Sequence, residues 1–124
     1  MTKSESEMAQ QVARVAIAFQ KERTGHAPTA VTVVLSEDTL VITLHEALTP
    51  AEKVMAISPA GAAQVQEFHR QLFQSSGDSL RKEIKRITGR EVREAAAEVE
   101  PASGTVIHAF TTGNVYSDGH RGNS

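Results

Sequence analysis

Five histidines, at positions 26, 45, 69, 108 and 120, are the residues of this chain best suited to chemistry. An imidazole titrates near neutral pH and can act as acid, base or metal ligand. Structural zinc, however, draws on paired ligands a few residues apart, and the shortest histidine gap here is twelve residues, from His108 to His120. His45 and Glu46 are neighbours, and on a strand neighbours point to opposite faces. A tertiary site joining His45 and His108 across a sheet stays open; isolated histidines on surfaces or sheet faces are the plainer expectation. The chain has no cysteine, which removes disulfides, thiolate metal sites and a cysteine nucleophile. No G-x-S-x-G turn supports a serine nucleophile. Glu37 and Asp38 fall in a turn, where acidic residues serve turn geometry more often than catalysis. No catalytic residue, metal site or cofactor is therefore expected.

The basic residues are the sharper oddity. Arg81, Lys82, Lys85, Arg86, Arg90 and Arg93 crowd one stretch, and Arg81 with Lys85, like Lys82 with Arg86, are like charges one helical turn apart. Glu83 offsets little of this. The plain account is a solvated helix face neutralised by Glu91, Glu94, Glu98 and Glu100. The functional account is contact with an acidic partner: a protein, an anionic ligand or a headgroup surface. Lys53, one turn into a helix that starts at Pro50, is a further candidate for holding a small anion at that helix start. Nucleic acid ranks lower. A net charge of −2 gives no steering field, and four Phe, one Tyr and no Trp offer few stacking platforms.

These residues need elements to place them, and the chain spells the elements out by period and punctuation. Met8, Val12, Val15 and Phe19 make an apolar seam on a helix from about Ser6 to Arg23, which Gly25 stops. From Thr29 the period becomes two: Val31, Val33 and Leu35, then Leu40, Ile42 and Leu44 after a polar Ser36–Thr39 turn, predict a hairpin. In Leu48–Lys53, Thr49 is a helix cap, Pro50 takes the first helical position and Glu52 reaches back to complete a capping box. Ser58-Pro59 repeats the device. From Pro59 to Thr88, Val65, Phe68, Leu72, Leu80, Ile84 and Ile87 predict one long helix, with Ser76 in the apolar stripe, Gly77-Asp78 able to kink or break it and Gly89 closing it. Val92–Val99 has helical composition, yet the strand-like Thr105–Thr112 beyond the Pro101–Gly104 turn favours a second hairpin over a helix.

The order of these elements resembles the MpsC-type family of small bacterial domains. The residues that carry the resemblance are Gly25, Pro28, Glu37–Val41, Leu48–Lys53, Ser58-Pro59 and Ile87–Arg90, spread over about residues 8 to 112. The chain departs from the family in the alanine run Ala95–Ala97 and in giving way early to Gly113-Asn114. The resemblance implies a non-enzymatic accessory or regulatory role beside a cation-linked, membrane-potential-generating and inorganic-carbon uptake system, with a membrane-transport protein as partner. It brings no catalytic residue with it.

The expectation is an α+β domain over residues 6–112, ordered α-β-β-α-α-β-β, with a polar, flexible tail over 113–124. Four antiparallel strands form two hairpins, with the first helix and the long helix on one face. The mixed second face of the sheet favours a homodimer. Met1–Glu7 lacks the charged and apolar segments of a signal peptide, and no apolar run approaches membrane-span length, so a cytoplasmic protein without membrane insertion is expected. Lys53, Arg81, Lys82, Lys85 and Arg86 are the anion or partner contacts, and Thr49, Pro50, Glu52, Ser58 and Gly89 the structural caps. Two other readings stay open: a small enzyme with its site at a dimer interface, built from His45 or His108 beside a carboxylate, and a basic-helix nucleic-acid binder.

Overall fold

Helix α1 (Glu5–Thr24) begins where Ser4 and Glu7 cap each other: the Ser4 hydroxyl accepts from the Glu7 N–H, and the Glu7 carboxylate accepts from the Ser4 N–H. The computed structural model describes residues 4–114. Val12, Ala16, Phe19 and Gln20 are the buried side of α1, and Gly25 ends it in the left-handed region at φ 78°. Strands β1 (Ala30–Leu35) and β2 (Thr39–His45) form the first hairpin, in register from Ala30–His45 to Leu35–Leu40. Leu40, Ile42 and Leu44 are fully buried, whereas Thr39, Val41, Thr43 and His45 alternate to the other face.

Three helices follow, α2 (Pro50–Met55), α3 (Pro59–Ser75) and α4 (Gly77–Thr88), then β3 (Arg90–Glu100) and β4 (Thr105–Asn114). The four strands make one open antiparallel sheet in the order β1-β2-β4-β3, so the two hairpins meet along β2 and β4. One face is covered: α1 lies over β1, α3 and α4 over β3, and α4 against α1. The core between these layers joins Val12, Ala16 and Phe19 to Leu40, Ile42, Leu44, Val106 and Phe110 of the central strands.

The long helix is divided. Ser76 stands between α3 and α4 at φ −111° and ψ 6°, outside the helical region. Ser75-Ser76-Gly77-Asp78 has too little helix propensity to hold a straight run against packing. The break lets α3 and α4 take separate paths across β3. Ser76 is buried, in line with the stripe, but the stripe runs differently upstream. Val65, His69 and Phe73 face inward, while Phe68 is 46% exposed and Leu72 only half-buried. The stretch with helical composition is strand. Ala95, Ala97 and Val99 point into the core from β3, where small side chains let two helices pack close, and pairing with β4 along the full strand outweighs the propensity of the alanines. A bulge at Arg93 interrupts the register between Val92 and Glu94. β4 continues through Gly113 to Asn114, and the tail expected beyond it lies outside the described residues, as does His120.

The α2–α3 corner is tight. A Cβ added to Gly61 would lie 1.8 Å from the Met55 carbonyl oxygen, whereas one added to Gly77 would meet nothing within 4 Å. Opposite outcomes are expected from the same substitution at the two sites. Gly61→Ala should lower unfolding free energy by about 1–3 kcal/mol through forced backbone movement. Gly77→Ala should raise it by about 0.4–1 kcal/mol by restricting the unfolded chain. Urea denaturation midpoints of the two variants check both.

Candidate functional site

Helix α2 is six residues long, too short to persist in water on propensity alone. Thr49 Oγ1 accepts from the Glu52 N–H at 3.2 Å and Glu52 Oε1 accepts from the Thr49 N–H at 2.9 Å, with Pro50 at the first helical position. The second oxygen of the same carboxylate, Oε2, lies 2.7 Å from Nε2 of His69 on α3. An ionised carboxylate only accepts, so the imidazole donates this bond. Both groups are withdrawn from water, His69 at 3% exposure and Glu52 at 9%. Burial by itself would push the Glu52 carboxyl up. The hydrogen bonds from His69 and from the Thr49 N–H, with the attraction of the imidazole, outweigh that and hold it below its ordinary 4.5.

A second imidazole stands deeper. His108 projects from the covered face of β4, with its ring centroid 4.5 Å from that of Phe73 and 6.3 Å from that of Phe19. Its Nδ1 is buried with no hydrogen-bond partner. Burial, and secondarily the nearby His69, push its pKa down to about 3, so it is neutral at physiological pH. The His45–His108 site across the sheet, which the sequence leaves open, does not form. His45 points to the open face, where its Nε2 is 3.2 Å from Thr32 Oγ1, whereas His108 points into the core. The carboxylate that finds a histidine is Glu52, and its histidine is His69.

Glu52 also forms part of the wall of a cavity of about 380 Å³. Arg23, from the last turn of α1, supplies a cation to the same cavity, and Met55, Val65 and Phe68 supply apolar walls. The arrangement suits holding better than transforming. The Thr49 hydroxyl accepts the capping N–H, and the Thr24 hydroxyl donates to the Gln20 carbonyl while accepting from the His26 N–H, so neither stands ready as a nucleophile. Among the described residues, no group of three or more His, Cys, Asp or Glu is placed to hold a metal ion, and no helix is long and apolar enough to cross a membrane.

The residues singled out for anion or partner contact are not gathered. Arg81, Lys82, Lys85 and Arg86 are all exposed on α4. Lys85 pairs with Glu91 at 2.7 Å and Arg86 with Glu83 at 2.8 Å, so Glu83 offsets more of the cluster than its position suggests. Lys53 sits instead beside Pro101–Gly104, at the far end of β3 from the Lys85–Glu91 pair. The start of α2 does not favour an anion either, because the Glu52 carboxylate already occupies it.

The profile of the MpsC family, described as a Na+-translocating membrane potential-generating system, matches residues 4–114. The chain belongs to the MpsC family. Membership suggests association with such a membrane system, and it covers every element of the site, from Arg23 to His108. Among curated proteins the chain is similar to uncharacterized protein YbcI of Bacillus subtilis (strain 168), 24% identical over 110 residues, which is 89% of each chain. No solved structure matches.

Two acid-sensitive groups in this MpsC-family core titrate in windows that overlap below 4.5 and differ above it. Below its ordinary value of 6.5 the unfolded chain protonates His108, whereas the folded chain resists until about 3, so stability falls as pH drops through that interval. The slope is at most about 1.4 kcal/mol per pH unit. Glu52 has the same sign in a lower window: its contribution is present above 4.5 and is lost as pH falls through its depressed folded value. His108→Phe should therefore flatten the stability profile between pH 5 and 6.5, and Glu52→Gln should flatten only the more acid part. Urea unfolding followed across pH distinguishes the two.

Proposed function

We propose that this chain is a non-enzymatic accessory or regulatory module of a Na+-translocating membrane system, cytoplasmic, and acting by binding a protein of that system. The observation that carries this reading is an exposed apolar corner. Val54 is 69% exposed, Ile57 83% and Met55 42%, on and just beyond α2, and Phe68 of α3, 46% exposed, shares a cavity wall with Met55. Side chains of this kind gathered on one corner are more typical of a contact surface than of ordinary protein exterior. The acid–imidazole pair supports a binding role, since one carboxylate oxygen closes α2 and the other ties it to α3.

The same reading includes a homodimer through the open sheet face. Val34 is 60% exposed there, and Val41, Ile107 and Ala109 are half-buried with no helix over them among the described residues. A two-fold pair would cover this stripe with its own copy.

Recovery of the tagged protein from its native cells, at low and high salt, tests the partner. Membrane-transport subunits should be retained by the unaltered chain and by the Arg81, Lys82, Lys85, Arg86→Ala variant, and lost from Val54→Ser, Ile57→Ser. Loss only from the basic-cluster variant, with salt-sensitive recovery, would move the contact to α4. Recovery of no transport subunit would defeat the reading. Light scattering tests the dimer separately: a dimer that becomes monomeric in Val34→Glu, Ile107→Glu is expected, and a monomeric unaltered chain would refute it.

A further inference from the structure

We propose that the cavity between α1, α2 and α3 is a binding site for an apolar α-amino acid. This goes beyond the partner reading and does not depend on it. Three features of the walls meet in that ligand class. The Glu52 carboxylate, buried and fixed by Thr49 and His69, forms part of the cavity wall, and a carboxylate oxygen that already accepts one hydrogen bond can accept another. A carboxylate on the cavity wall is complemented by an ammonium group. Arg23 is the opposite pole. Its guanidinium lies 5.3 Å from the Phe19 ring centroid, and it pairs with exposed Glu22 at 3.4 Å, not with Glu52. Two opposite charges thus line one cavity without an ion pair between them, and a carboxylate on the ligand suits the second.

Besides the poles the walls include Met55, Val65 and Phe68, with Thr24, Thr49 and Gln64 as polar neighbours. A flexible thioether, a branched aliphatic and a ring accept an aliphatic or aromatic side chain. The cavity, at about 380 Å³, lies within the range of small-ligand sites and has room for a leucine- or phenylalanine-sized molecule. Simple fatty acids lack the cation for Glu52, and simple amines lack the anion for Arg23. The zwitterion alone satisfies both.

Isothermal titration of the full chain with L-leucine and L-phenylalanine tests this, with isocaproate and isoamylamine as the probes lacking one charge each. Saturable binding of at least one amino acid is expected, weakened about tenfold or more for both probes. Arg23→Gln should weaken it by a similar factor while leaving the unfolding midpoint nearly unchanged, because an exposed ion pair contributes little to stability. Glu52→Gln should abolish it, but that variant also loosens α2, so Arg23→Gln is the deciding comparison. No saturable heat with either amino acid, equal binding of the single-charge probes, or binding indifferent to Arg23→Gln would each overturn the assignment. None of these outcomes bears on recovery of transport subunits.

Discussion

One carboxylate holds the α2–α3 end of this fold together. Glu52 closes its own helix with one oxygen and grips His69 with the other, so the shortest helix and a much longer one are joined through a single side chain. Withdrawing a carboxylate from water carries a penalty of several kcal/mol, which good hydrogen bonds must offset. Here they come from a backbone N–H and a buried imidazole, and the depressed pKa shows which side prevails. The pair is therefore a constraint on geometry as well as a contribution to stability above the ordinary carboxylate range. With Glu52 removed, the His69 Nε2 is left buried without this partner, and with His69 removed, Glu52 keeps only its bond from Thr49; either way the side-chain tie between α2 and α3 is lost.

The sheet constrains everything else by having only one covered face. Antiparallel strands can leave a face to water or to another molecule, and the alternation in β2 shows the consequence residue by residue. Leu40, Ile42 and Leu44 vanish into the core, while Val41 and Thr43 stay half-exposed. That alternation is local, so the first hairpin could be read from spacing, as could the capped starts at Thr49 and Ser58. Whether Ala95–Ala97 is strand or helix is decided by β4 and by the two helices that need small residues beneath them, and no local pattern contains that information. The division at Ser76 was readable only as a weakness. Where α3 and α4 must go is set by α1 and β3, far away in sequence.

The family could be read from the order of the caps and the hairpin, but the site could not. Glu52 and His69 are seventeen residues apart on different helices, so no motif spacing joins them. Glu52 had a sufficient local explanation as a cap partner, which hid its second bond. The inward position of His69 had a faint signal: four-residue spacing in Val65, His69 and Phe73 competes with the more apolar set Val65, Phe68 and Leu72. The apolar set lost because burial follows the geometry of the sheet beneath the helix. His108 carried a clearer sign, since Val106, His108 and Phe110 alternate along β4, and a histidine at such a position belongs to the inner face.

The exposed apolar corner follows from the same constraint as the pair. A helix of six residues turns fewer than two full times, so it has one inward position to offer, and Glu52 takes it. The remaining apolar side chains of that segment, Val54 and Met55, have no core to enter, and Ile57 follows in a turn already pinned by the close approach of Gly61 to Met55. A loose segment with this composition would collapse onto the protein. This one is held at both ends, by the Glu52–His69 bond and by the backbone contact at Gly61, and so keeps its apolar side chains turned outward. Met55 is shared by the two features, exposed on this corner and part of the cavity wall.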